Sequence, residues 1–163
     1  MSVLPLVFYP DARLAQPCAA VVDEELSGLI ADMFDTMYAA PGRGLAGPQV
    51  GVMKRVFVMD CTWKEGTKTP MAFLNPEIIA ASADEDTLDE GCLSIPSLMV
   101  PVARPTEVTV RWNDASGTVQ EQCFDGFEAR CIQHEMDHLD GRVTLDHLSE
   151  AARADILKGY EAP

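Results

Sequence analysis

Apolar residues along this chain recur in two rhythms, one of three and four positions and one of two. Leu26, Leu29, Ile30, Met33, Phe34, Met37 and Tyr38 follow the first. That spacing predicts an amphipathic helix over 23–40, with Asp23 as N-cap and Pro41-Gly42 as its stop. Alternation predicts strands over 55–60, 71–74, 107–112 and 118–124, the last two joined by turn residues at 113–117. A second helix follows them, started by Asp125 or Gly126 and ended by Gly141. A short helix capped by Ser149 is predicted over 149–160. The pattern is that of an α+β fold: mostly antiparallel strands packed around a central helix, with an amphipathic helix before it and a short one after. Repeats and linkers are absent, and 163 residues suit one domain spanning 1–163.

On the central helix, a step of ~100° per residue places Phe127, Cys131, His134, Glu135 and His138 on one arc. Ala129, Ile132, Met136 and Leu139 continue it as an apolar wall, and Arg130, Gln133, Asp137 and Asp140 form a polar arc expected to face solvent. The histidines therefore point inward. They form a His-Glu-x-x-His run, Gln133-His134-Glu135-Met136-Asp137-His138, and the chain has only three histidines in all. Imidazoles four residues apart share a helix face and can bind one metal ion, with the glutamate placed to move protons for a bound water.

Composition narrows the setting. A formal net charge of −14 argues against broad nucleic-acid binding, which needs a basic face. The acidic runs at 84–86 and 89–90 read as solvated surface except for Glu90. Residues 1–10 lack the basic and apolar segments of a signal peptide, and nothing approaches the ~20 apolar residues of a membrane span. Five cysteines without a regular framework suit reduced thiols and a cytoplasmic location.

A metal of this kind takes three protein ligands and an open position. The extended form of the motif fails, because Gly141 is in register but Thr144 stands where a third histidine is needed. Glu150 lies on the terminal helix, read as an exposed cap, and His147 reads as a surface or packing residue. Two cysteines remain. Cys131 shares the histidine arc, and Cys92 sits in the irregular stretch Glu90-Gly91-Cys92-Leu93-Ser94, where glycine lets the backbone approach a site closely. Periodicity does not choose between them.

Three blocks, Gly42-Arg43-Gly44-Leu45-Ala46-Gly47-Pro48-Gln49, Glu90-Gly91-Cys92-Leu93-Ser94 and Gln133-His134-Glu135-Met136-Asp137-His138, resemble the three signature motifs of peptide deformylases, in the family's order and over nearly the whole chain. The resemblance implies Cys92, His134 and His138 as ligands of one divalent ion, Fe2+ in the family, with Zn2+, Ni2+ or Co2+ accepted. It implies Glu135 as the proton carrier, the Gln49 amide and the Leu93 backbone N–H as oxyanion donors, and Gly44 as a backbone partner of the extended substrate. The substrate implied is an N-formylmethionyl peptide. Leu88, Phe127 and Cys131 are expected to line the methionine pocket, and Arg104 to pair with Glu90. Some family members associate transiently with the ribosome; here Glu150, Asp155 and Glu161 outnumber Arg153 and Lys158 in the terminal segment. No membrane partner is implied.

Two departures stand out. Gly47 occupies a position where alanine is usual, which is expected to loosen the loop bearing Gln49, and Arg43 occupies a rim position that is often apolar. The rival readings are a metallopeptidase with a different third ligand and a deformylase-like binding protein without turnover.

Overall fold

The computed structural model describes residues 2–163. Five strands form an antiparallel sheet in the order β1-β2-β3-β6-β7: β1 Gly44–Ala46, β2 Val56–Met59, β3 Met71–Ala81, β6 Glu107–Asn113 and β7 Val119–Asp125. A separate hairpin pairs β4, Glu85–Cys92, with β5, Ile95–Pro105. The helices are α1, Ser27–Ala39, α2, Gly126–Leu139, and α3, Glu150–Ile156.

Strand β2 shows how the layers arise. All four of its residues are buried, because both faces of the sheet are covered. Val56 and Val58 meet α1 through Ile30, Met33 and Met37. Phe57 and Met59 point to the other face, where Ala129, Ile132, Met136 and Leu139 of α2 pack. An aromatic group lies beneath α2: Phe57 and Phe73 stack at 4.5 Å and Trp112 lies 4.6 Å from Phe73, in the offset and tilted geometries aromatic rings prefer. The hairpin builds a third cluster, in which Ile95, Val100 and Val102 meet Val7, Leu14, Val143 and Leu145.

The expected strands are present, with β3 running seven residues beyond the predicted end. The β4–β5 hairpin was not anticipated, and Cys92 is the last residue of a strand rather than part of an irregular stretch. Asp23 does not cap α1; its φ is 48° and the helix begins four residues later, where the Glu25 carboxylate accepts the Ser27 N–H at 2.6 Å. Asp125 precedes α2 without a capping hydrogen bond, whereas Ser149 does cap α3 by accepting the Ala152 N–H.

The largest difference lies on α2. Arg130 and Gln133, expected on a solvated arc, are each only 7% exposed. The hairpin covers that side, so the helix is enclosed nearly all round. Among the described residues, no helix is long and apolar enough to cross a membrane.

Candidate active site

Cys92 arrives on the hairpin and His134 and His138 on α2, and the donor atoms of all three lie within 4.8 Å of one another. Cys92 Sγ is 3.4 Å from His138 Nε2. Cys131 does not join them. Its thiol donates to the Arg43 carbonyl at 3.8 Å, and the neighbouring Cys61 thiol together with burial pushes its pKa well up, which keeps it protonated and a poor ligand. Of the two thiols that periodicity left open, Cys92 is the one that faces the imidazoles.

Glu90 orients one of those imidazoles. Its Oε1 lies 2.9 Å from His134 Nδ1, which turns Nε2 toward Cys92. The carboxylate is clamped by two guanidinium groups: Arg104 donates at 2.6 and 2.9 Å, and Arg130 at 2.5 Å. Burial acts to raise the Glu90 pKa, but the Arg104 and His134 bonds prevail and hold it far below the usual carboxylate range. The expected Glu90–Arg104 pair is present, and Arg130 is a second cation that the helical wheel had turned outward.

Gln49 is fixed by the division of its amide. Oε1 accepts the Ala46 N–H at 2.9 Å, so the NH2 must face Ser94 Oγ at 3.1 Å and Cys92 Sγ at 3.6 Å. Gly44 permits a close approach, since a β-carbon there would stand 2.5 Å from Glu135 Oε2 and 2.8 Å from Cys131 Sγ. At Gly47 a β-carbon would meet the Val52 carbonyl at 2.5 Å and that of Lys54 at 2.9 Å. The glycine therefore tightens the Gln49 loop against the following backbone, contrary to the expected loosening.

A cavity of about 570 Å3 opens on these groups, lined among others by Gly44, Gln49, Cys92, Leu93, Cys131 and Glu135. Phe127 stands at its rim, 52% exposed, with the Arg43 guanidinium 5.2 Å above its ring. Arg43 is further tied to the Cys61 carbonyl at 2.9 Å and to Glu65 at 3.1 Å. Leu88 does not fit the expectation. It is also half exposed and does not line the cavity.

The residues fit a metal ion by their own chemistry. A thiol and two imidazoles converge, and three donors leave a further position open. Burial holds His138 well below the ordinary imidazole pKa, and the neutral ring is the form that ligates. Around His134, burial opposes a charge, but Glu135, Cys92 and Glu90 raise the value. Glu135 Oε1, buried in this site, has no partner among the described residues, and neither has His138 Nδ1, the ring nitrogen away from Cys92. Orphans of this kind are rare in proteins and mark places where a ligand or water belongs.

The polypeptide deformylase family model matches residues 3–154 of the chain. The chain belongs to the peptide deformylase family. Among the deformylases it resembles, that of Rhodopseudomonas palustris strain BisB5 is 45% identical over 166 residues, covering 99% of this chain and 94% of the relative. The Zymomonas mobilis peptide deformylase is 42% identical, covering 97% and 93%. The crystal structure of peptide deformylase from Ehrlichia chaffeensis in complex with actinonin superposes with a TM-score of 0.89 at 40% identity, covering 97% of this chain and 95% of that one. The Legionella pneumophila deformylase gives a TM-score of 0.90 at 39% identity, covering 96% and 92%.

Sequence reasoning missed Ser94, Arg130 and Asp137 as parts of the deformylase site. Arg130 lies one helical turn before His134, a spacing that could have flagged it. Ser94 lies within the second block, but nothing local ties it to Gln49.

Proposed function

We infer that this chain is a metal-dependent hydrolase that removes the formyl group from N-formylmethionyl peptides of nascent proteins and releases formate. The observation that carries the inference is the convergence of Cys92, His134 and His138 beside a buried, unpartnered Glu135 in the cavity. Cys92, His134 and His138 would hold one divalent ion. Fe2+ is the ion proposed, and Zn2+, Ni2+ and Co2+ suit the same donors. When bound, such an ion supplies Lewis acidity, which acidifies water and polarises the formyl carbonyl.

Glu135 holds and moves the proton. Burial, against the pull of His134, pushes its carboxyl up to about 7, close to the value at which a group can both accept and return a proton at neutral pH. It takes a proton from the attacking water at a carboxylate oxygen and delivers it to the departing amine. Gln49 Nε2 and the Leu93 backbone N–H are proposed to donate to the oxygen that becomes negative as the formyl carbon turns tetrahedral. Fixed donors stabilise that charge without having to reorganise.

Substrate position follows from the edge of the sheet. Strand β1 is an edge strand and its Gly44 lines the cavity, so an extended peptide can add to it through main-chain hydrogen bonds. Cys131 and Phe127 offer apolar surface for the methionine side chain, and Leu88 sits outside. The experiment is formate release from formyl-Met-Ala-Ser by anaerobically prepared, Fe2+-loaded protein, beside Glu135→Ala. Turnover by the parent and a loss of ~100-fold or more in the variant is expected; no formate from metal-loaded parent would overturn the reading.

A further inference from the structure

Behind the metal site, on the opposite side of α2, a second cavity of about 430 Å3 is lined by Arg55, Arg104, Gln133, Asp137, Arg142 and His147, among others. From it a continuous chain of polar contacts runs to a proposed metal ligand. His147 Nε2 lies 2.7 Å from Asp137 Oδ2. Arg104 Nη1 reaches the same oxygen at 3.0 Å. Arg104 then clamps Glu90 through its other two nitrogens, and Glu90 meets His134.

We propose that His147 is a positioning residue for the metal ligand His134, acting through Asp137, Arg104 and Glu90. The inference rests on the metal-centre reading above and extends it to a residue that touches neither the active-site cavity nor a ligand.

The physical reason is competition for one guanidinium. Arg104 is 3% exposed and divided between two carboxylates, Glu90 and Asp137. An ionised carboxylate only accepts, so His147 donates from Nε2. That second donor fixes Asp137 Oδ2 in place and carries part of its hydrogen-bonding demand. Arg142 is no substitute, since it stands 3.9 Å from the other oxygen and is half exposed. Without the His147 N–H, Asp137 can rotate and draw Arg104 away from the two-bond clamp on Glu90, loosening the imidazole that Glu90 orients. Partners at this remove from a metal typically change affinity by ten- to a hundredfold.

The test is Co2+ dissociation into excess chelator, followed by the visible absorption of the bound ion. Parent, His147→Phe, His147→Gln, Asp137→Asn and the Asp137→Asn/His147→Phe double variant are compared, with Cys92→Ala as control. Phenylalanine keeps the ring without the donor, and glutamine restores an N–H near the Nε2 position. His147→Phe should release Co2+ about tenfold faster, His147→Gln should hold it as the parent does, and His147→Phe should add nothing once Asp137 is asparagine. Equal retention by His147→Phe overturns the proposal. So does equal loss in His147→Phe and His147→Gln, or a full additional loss on the Asp137→Asn background. A parent that fails to bind Co2+, or whose absorption survives Cys92→Ala, refutes the metal-centre reading itself.

Discussion

Ser94 Oγ lies 3.1 Å from Gln49 Nε2, with Ser94 fully buried and Gln49 1% exposed. The serine thus aims an amide whose other end is already committed to Ala46. Replacing Ser94 with Ala removes one neutral hydrogen bond, worth ~1 kcal/mol, and should lower kcat several-fold with KM little changed. Gln49→Leu removes the donor itself and should cost ~3 kcal/mol of transition-state stabilisation. Steady-state kinetics on formyl-Met-Ala-Ser orders the two; an equal loss in both would mean that Ser94 does more than aim Gln49.

Gly44→Ala sets a methyl group against the Glu135 carboxylate and the Cys131 thiol. Deformylation should fall below a tenth of the parent's, while metal content by elemental analysis stays at one ion per chain. Retained activity would show that β1 can move away from α2.

Restoring the family's usual residue should do harm at Gly47. The alanine methyl would press on two backbone carbonyls, which yield less readily than side chains. Overpacking of this kind costs roughly 1–3 kcal/mol. The melting temperature of Gly47→Ala should drop by several degrees, and an unchanged or higher value would show that the 52–54 segment gives way.

Arg104→Ala leaves Glu90 with Arg130 and His134 only. Removing one partner of a buried ion pair costs about 3–5 kcal/mol, and the remaining guanidinium places this case at the lower end. Urea unfolding of the metal-free protein measures it. Stability equal to the parent's would show that Arg130 suffices to hold the carboxylate.

Asp60 gives the pH dependence. Burial would raise its pKa, but the Tyr38 hydroxyl and the N–H groups of Thr69, Thr62 and Trp63 outweigh that and lower it. The Tyr38 bond is 2.6 Å. Because the folded value lies below the unfolded one, this stability is complete above about pH 4 and is lost as pH falls through the folded-state value. Asp60→Asn should be less stable at pH 7 by on the order of 2 kcal/mol and should lose less on acidification than the parent. Parallel stability curves would contradict the assignment.

The parts of the fold that announced themselves were those whose partners are close in sequence. His134, Glu135 and His138 are read from one turn of helix, and β6 and β7 from alternation around the turn that Gly117 closes at φ 84°. The hairpin escaped notice for two reasons. Glu85, Asp86, Thr87, Leu88 and Asp89 are all exposed, so β4 has no alternation, and β5 contains Pro96, Pro101 and Pro105. Once the hairpin was missing, nothing indicated that the outer side of α2 would be covered. Arg130 and Gln133 then looked solvated, and the clamp on Glu90 could be only half drawn. The direction of the Cys131 thiol depends on where Arg43 and Cys61 sit, which helix geometry does not reveal.

The proposed ligands come from two structural units, Cys92 from the hairpin and the histidines from α2, 46 positions apart for Cys92 and His138. An ion held between them is also a clasp. Closing a loop of that size in the unfolded chain would remove conformational entropy worth about 4 kcal/mol by the relation used for covalent cross-links. Chelation would then do more than silence the chemistry: it would unbuckle the hairpin from the helix, so that the lifetime of the folded chain and its supply of metal rise and fall together.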